Sequence, residues 1–170
     1  PLAGIAGVSL FARPAKGAVT ASAAISETAD VVGLTAERYQ ELTKAFGDLG
    51  GISEAVSAGA LRRFNRRLGL AADGAGAAKD TFGELGVEIR GAGGGLRETG
   101  SVLDEAIESL TEIDNAAARA AKASELFGED AGPKLAAVLG QGQDAIDETI
   151  DKLREQGRIM SDEAADAARQ

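Results

Sequence analysis

Four arginines stand within six residues in "RRFNRR", at Arg62, Arg63, Arg66 and Arg67. Guanidinium groups bind carboxylates and phosphates through paired N–H donors. On a helix these four form two i,i+4 pairs, Arg62/Arg66 and Arg63/Arg67, flanking an apolar face of Leu61, Phe64 and Leu68. The one aromatic between them, Phe64, turns toward the core by the same geometry. The cluster is a candidate interaction site. It suits the acidic half of this chain or a neighbouring subunit better than nucleic acid.

Carboxylates offer a second chemistry. Asp104/Glu108 and Asp147/Asp151 stand at i,i+4, a spacing that helices commonly expose to solvent. The chain has no histidine and no cysteine. The commonest general base, the commonest metal ligand and all thiol chemistry are therefore missing. A carboxylate-only metal site stays open in principle, but no EF-hand loop pattern occurs. Neither catalysis nor a cofactor is expected. The glycine run Gly91, Gly93, Gly94, Gly95 lacks the Lys-Ser/Thr ending of a phosphate loop. It also misses the G-x-G-x-x-G spacing at Leu96, and reads as a turn.

Charge is divided along the chain. Residues 1–70 carry 8 Lys/Arg against 6 Asp/Glu, and residues 71–170 carry 10 against 21, within a net charge of −9. An acidic back half is a poor surface for holding DNA. Aromatics are only 4% of the residues, so the core is expected to rely on small side chains at close helix–helix contacts. The first residue is Pro1 and the only methionine is Met160, which suggests a piece of a longer chain. The opening "PLAGIAGVSLFA" is apolar but too short to span a bilayer by itself. It is expected to pack against another chain or a membrane.

The elements that must position these residues are helical. Residues 15–33 carry a loose stripe of Val19, Ile25, Ala29 and Val32, stopped at Gly33. Thr35 caps a helix with Tyr39, Leu42 and Phe46 on one face, Leu34 stapling it from outside. Ser53 caps a helix over 53–71, and a short one around 75–85 carries Phe82 and Leu85. Val87 and Ile89 alternate with Glu88 and Arg90, predicting a small β-hairpin near 87–97 across the glycine run. Ser101 is expected to cap a helix with Leu103, Ile107 and Leu110 inside. An alanine-rich helix over 116–127 ends at Phe127-Gly128. Pro133 opens the next helix, to Leu139, because its missing N–H costs nothing there. Ile146, Ile150 and Leu153 mark a helix over 144–156, and Ser161 starts a last one. The fold class is all-α, a compact multi-helix bundle. Its large anchors are Tyr39, Phe46, Phe64, Phe82 and Phe127, with Gly128 and Pro133 punctuating the "LFGEDAGP" turn. Three parts are expected: an apolar leading segment over 1–33, a helical domain over 34–157, and the start of a further helix over 158–170.

Five segments in order carry a resemblance: "ADVVGLTAERYQEL", "ALRRFNRRLGLAADG", "TFGELGVEIRGAGGGLRETGSVLDEAIESL", "AARAAKASELFGEDAGPKLAAVL" and "IDKLREQGRIMSDEAADAA". Together they resemble the tail tape measure proteins of long-tailed bacteriophages and prophages, over roughly 30–170. Three stretches depart from the family pattern. "GAGGG" stands where relatives carry Asp and Asn, "PKLAAVL" is less bulky, and "GRIMSDEA" keeps Ser161 as its cap.

The resemblance implies a structural virion protein. Such a chain occupies the lumen of the tail tube, sets tail length in assembly, and is released at infection to aid DNA passage. Implied partners are further copies of itself (a trimer or hexamer), the tail tube, tail-tip or baseplate proteins and a tail assembly chaperone. DNA would be transient, and a host membrane could be met by the apolar N-terminal segment. The implied locations are the virion tail and, during assembly, the host cytoplasm. A ruler should be an extended helix, yet this chain has 23 glycines in 170 residues, about twice the usual proportion. It is therefore expected to be a folded docking section rather than the ruler. The alternative is a helical module that binds nucleic acid or a host partner through the Arg62–Arg67 helix.

Overall fold

Thr35 and Ser53 each begin a helix by the chemistry of their hydroxyls. In the computed structural model, which describes residues 16–167, the Thr35 hydroxyl accepts from the Arg38 amide at 3.2 Å and Ser53 from the Val56 amide at 3.4 Å. Both bond an otherwise orphaned N–H of the first turn. The helices so started are α2 (Ala36–Gly50) and α3 (Glu54–Ala72). Before them runs α1 (Lys16–Val32), and after them α4 (Ala78–Glu84), α5 (Thr99–Thr111), α6 (Ala116–Phe127), α7 (Gly132–Leu139), α8 (Gln143–Glu155) and α9 (Asp162–Ala167). Residues 1–15 and 168–170, and the side chains of 16–21, lie outside the described residues. The apolar 1–14 segment and the Val19 position of the α1 stripe fall there.

The fold is an all-α bundle, as the periodicity implies. α2 lies centrally, packed on α1, α3, α7, α8 and α9, while α6 packs on α3, α4, α5 and, most extensively, α7. The apolar faces meet in one core. Tyr39, Leu42 and Phe46 of α2, Leu61, Phe64 and Leu68 of α3, and Ile146, Ile150 and Leu153 of α8 are all buried. Phe64 stacks on Phe127 at 5.4 Å between ring centroids and takes the edge of Phe82 at 5.7 Å. These three rings are the large filling among many alanines.

Two expectations are corrected. Ser101 is not a cap. The cap position is Glu98, three residues earlier; α5 begins at Thr99, and Ser101 sits exposed in its first turn. The cause is tertiary: the Thr99 hydroxyl bonds the Asn65 side chain of α3 at 3.0 Å, and Gly100 sits against Leu34. The predicted hairpin shrinks to a single antiparallel bridge, Arg90 with Leu96, and no strand forms among the described residues. Its turn closes through the Gly91 amide on the Gly95 carbonyl (2.9 Å) and the Arg97 amide on the Ile89 carbonyl (3.0 Å). Two short arms supply too few cross-strand pairs to extend a ladder. Val87 alone of the predicted strand residues is buried.

Candidate functional site

The arginine helix and the "LFG" turn form one structural unit. Asn115 caps α6 by accepting from the Ala118 amide at 2.9 Å, and the helix ends at Phe127. Gly128 then takes φ +98°, a backbone region that L side chains rarely adopt. Arg63 lies directly over it: a β-carbon at Gly128 would stand 2.7 Å from Arg63 Cδ. The chain turns, and α7 returns alongside α6 with Pro133 in its first turn. Gly132 is buried so tightly there that any β-carbon would collide with the Cα and backbone nitrogen of Ser124.

The four arginines divide by this geometry. Arg67 Nη1 donates to the Ser124 and Glu125 carbonyls, at 2.8 and 2.5 Å. These belong to the last turn of α6, where the helix dipole is negative; the Ser124 carbonyl also accepts from the Gly128 amide at 2.8 Å. Burial, then the charges of Arg66 and Arg63, hold the Arg67 pKa below the ordinary arginine value. Arg63 covers Gly128 and reaches Asp130 at 3.4 Å. Arg62 and Arg66 stay exposed. With Arg63 and Gly59 they line an open notch of about 350 Å³. Two members of the candidate site therefore hold the fold, and two are turned to solvent.

Each predicted anchor is buried: Tyr39, Phe46, Phe64, Phe82, Phe127 and Gly128. Pro133 is exposed at the start of α7. Of the carboxylate pairs, Asp104, Asp147 and Asp151 line one open cavity of about 540 Å³ together with Arg38, Glu41 and Arg154. Asp104 accepts from Arg38, Asp147 accepts from Gln143 at 2.9 Å, and Asp151 lies 3.4 Å from Arg154.

A second polar centre escaped the sequence reading. Glu41 is buried with its carboxylate between Arg38, at 2.9 Å, and Arg154. Arg38 also holds Asp104 at 2.5 Å, so α2 is joined to α8 through Glu41 and to α5 through Arg38. Burial works against the Arg38 charge, but the hydrogen bonds to Glu41 and Asp104 outweigh it and raise its pKa above the ordinary value. The only local signal was the Arg38/Glu41 spacing of three. Arg154 lies 113 residues away. Beside this centre opens a cavity of about 860 Å³ of mixed lining, with Asp30, Arg38, Glu98, Asp104, Asp162 and Asp166 beside Leu34 and Ala36. Asp162 is engaged there, accepting from the Glu37 amide at the start of α2 at 2.8 Å.

Among the described residues no group of three or more His, Cys, Asp and Glu is placed to hold a metal ion. No described helix is long and apolar enough to cross a membrane. No family model, curated protein or solved structure matches this chain.

Proposed function

We propose that this chain is a folded docking section of a phage tail tape measure protein. The observation that carries the reading is the ordered set of five tape-measure-like segments. Its support comes from how those segments interlock. The "RRFNRR" helix meets the "ELFG" turn through Phe64 on Phe127, Arg63 on Gly128 and Arg67 on the end of α6. The "GRIMSDEA" segment meets "TAERYQEL" through Met160 on Gln40 and Asp162 on the Glu37 amide. Residues 120 and more apart thus close on each other, which suits a folded body better than an extended gauge. The longest described helix has 19 residues, about 28 Å at 1.5 Å per residue. The work proposed is docking, to further copies, to the tube or tip, or to an assembly factor. No catalytic step is proposed. The nucleic-acid or host-partner reading is weakened because Arg63 and Arg67 are spent on internal contacts.

The test is an in-frame deletion of residues 35–157 in the phage. The docking reading expects failed or misregulated tail assembly. Viable particles with tails shorter by about 1.5 Å per removed residue would make this section part of the ruler and overturn it.

A further inference from the structure

The outer face of α3 leaves positive charge uncompensated on a chain of net charge −9. Gly59, Arg63, Arg66 and Leu70 share that face at i, i+4, i+7 and i+11, with Arg62 beside them, opposite the buried Leu61, Phe64 and Leu68. Arg62 and Arg66 make no ion pair among the described residues. The pair that Arg63 makes is slack: Asp130 stands 3.4 Å away with its side chain 85% exposed. The surplus is felt inside the cluster. The charges of Arg66 and Arg63 lower the Arg67 pKa and outweigh the opposing charges of Glu129 and Glu125.

The floor of this patch is clear. Gly59 lines the notch with Arg62, Arg63 and Arg66. A β-carbon there would meet only Arg63 Nη1, at 3.8 Å, and its φ is not positive. Glycine weakens a helix interior, yet neither a turn nor close packing within the chain asks for it at 59. Acids frame the patch on both sides. Glu54 shares a cavity with Arg62, and Glu125 and Glu129 share another with Arg67. The open stretch between them, 59–66, is only about 10 Å long.

We propose that the outer face of α3 docks a short acidic segment of a partner protein, its carboxylates seated over Gly59 between Arg62, Arg63 and Arg66, and an apolar residue beside them resting on Leu70. Each guanidinium offers a carboxylate two parallel donors. Two carboxylates one helical turn apart reach both turns of the arginine cluster. Leu70 follows Arg66 by one more turn and is 46% exposed. A DNA duplex carries one charge per about 1.7 Å of its axis. Laid along this face it runs past the patch onto the framing acids, whereas a short segment stays within it. Exposed ion pairs contribute little singly, so the contact is weak, screened by salt and dependent on the Leu70 end. It gives the docking reading a surface, and rests on that reading only for its setting in a tail.

Fluorescence anisotropy on the full chain tests it. The probe is a labelled alanine-based helical peptide with two glutamates one turn apart and a leucine one turn beyond. Its binding should weaken about tenfold or more between about 0.05 and 0.5 M salt. Arg62→Glu/Arg66→Glu, with circular dichroism unchanged, should release it and bind instead the same peptide carrying lysines for glutamates, which the wild type should ignore. Asp130→Asn should tighten binding, because a competing carboxylate leaves Arg63. Gly59→Leu should fill the notch and abolish binding while the melting temperature holds or rises, which separates docking from folding. Leu70→Ser should weaken binding of this peptide but not of one lacking the leucine. A wild type that does not bind, or binding unmoved by the arginine reversal or by Gly59→Leu, would overturn the site. A DNA duplex held more tightly than the peptide at equal salt, and released by the arginine reversal, would give the face to nucleic acid instead. Self-association lost in that same variant would give it to a second copy. Peptide binding intact beside a tolerated 35–157 deletion would remove the tail reading alone. No peptide binding beside failed assembly would remove this surface alone.

Discussion

At the scale of single residues, Tyr39 is a reporter built into the core. It is the only tyrosine, and there is no tryptophan. Burial, then the charge of Glu54 and the 3.2 Å hydrogen bond its hydroxyl donates to that carboxylate, push its pKa from 10.0 up to about 12. The folded state thus holds the proton more tightly than the unfolded chain. Its contribution to stability is complete below about pH 10 and is lost as pH rises through about 12. Tyrosinate absorbance should titrate near 12 in the native protein, together with alkaline unfolding, and near 10 in denaturant; a native midpoint near 10 would contradict the buried placement. Phe127 tests the core from another side. Stacked on Phe64 and 1% exposed, it should cost about 3 kcal/mol or more when replaced by alanine, read from urea denaturation. A loss no larger than that of a surface variant would make the "LFG" turn a partner contact instead. Gly132→Ala should cost roughly 1–3 kcal/mol by forcing α6 and α7 apart, whereas Gly93→Ala, with open space around it, should change melting little.

At the scale of elements, polar contacts fasten the C-terminal part to α2. Arg154 of α8 holds Glu41, Arg158 holds Asp48 at 2.8 Å, Gln40 pairs with Met160 through two 3.2 Å bonds, and Asp162 bonds the first turn of α2. Glu41 is the member with most at stake, since it is buried while Arg154 is half exposed. Glu41→Gln should destabilise by about 1–3 kcal/mol, because a buried charged hydrogen bond is lost. Glu148→Gln, in a fully exposed i,i+4 pair with Lys152, should stay near zero in the same denaturation series; equal effects would deny the Glu41 centre its role. The turn at 91–95 makes a contrasting element. Its amides are protected by one bridge and a few turn bonds, so they should exchange far faster than those of α2. Protection equal to α2 would reveal a ladder that the bridge alone does not provide.

At the scale of the whole molecule, the acidic surplus shapes behaviour more than it shapes the fold. A body at −9 repels polyanions and its own copies at long range. The helix order also brings α9 back onto α1 and α2, so the described chain folds back on itself. Truncation after Gln156 should lower the melting temperature and loosen α1 as well as α2, visible as faster amide exchange in both. Unchanged exchange in α1 would show that α9 is a passive appendage.

Helix positions were legible in the sequence because their signals are local. A cap hydroxyl, a glycine past the last turn and an apolar residue at each turn act within a few residues, so Thr35 and Ser53 begin helices as read, and Phe127 ends one. The hydrophobic periodicity likewise marked Tyr39, Leu42, Phe46, Phe64 and Ile150 as core before any contact was known. Tertiary structure decided what depends on distant partners. It moved the start of α5 to Thr99 because Asn65 waits there, and reduced the hairpin to one bridge. It buried Glu41 because Arg154 arrives from 113 residues away. It also divided "RRFNRR", setting Arg63 and Arg67 on the end of α6 and leaving Arg62 and Arg66 outside. Helical spacing fixes which side chains share a face, but only the packing of the other helices determines which face meets protein and which meets water.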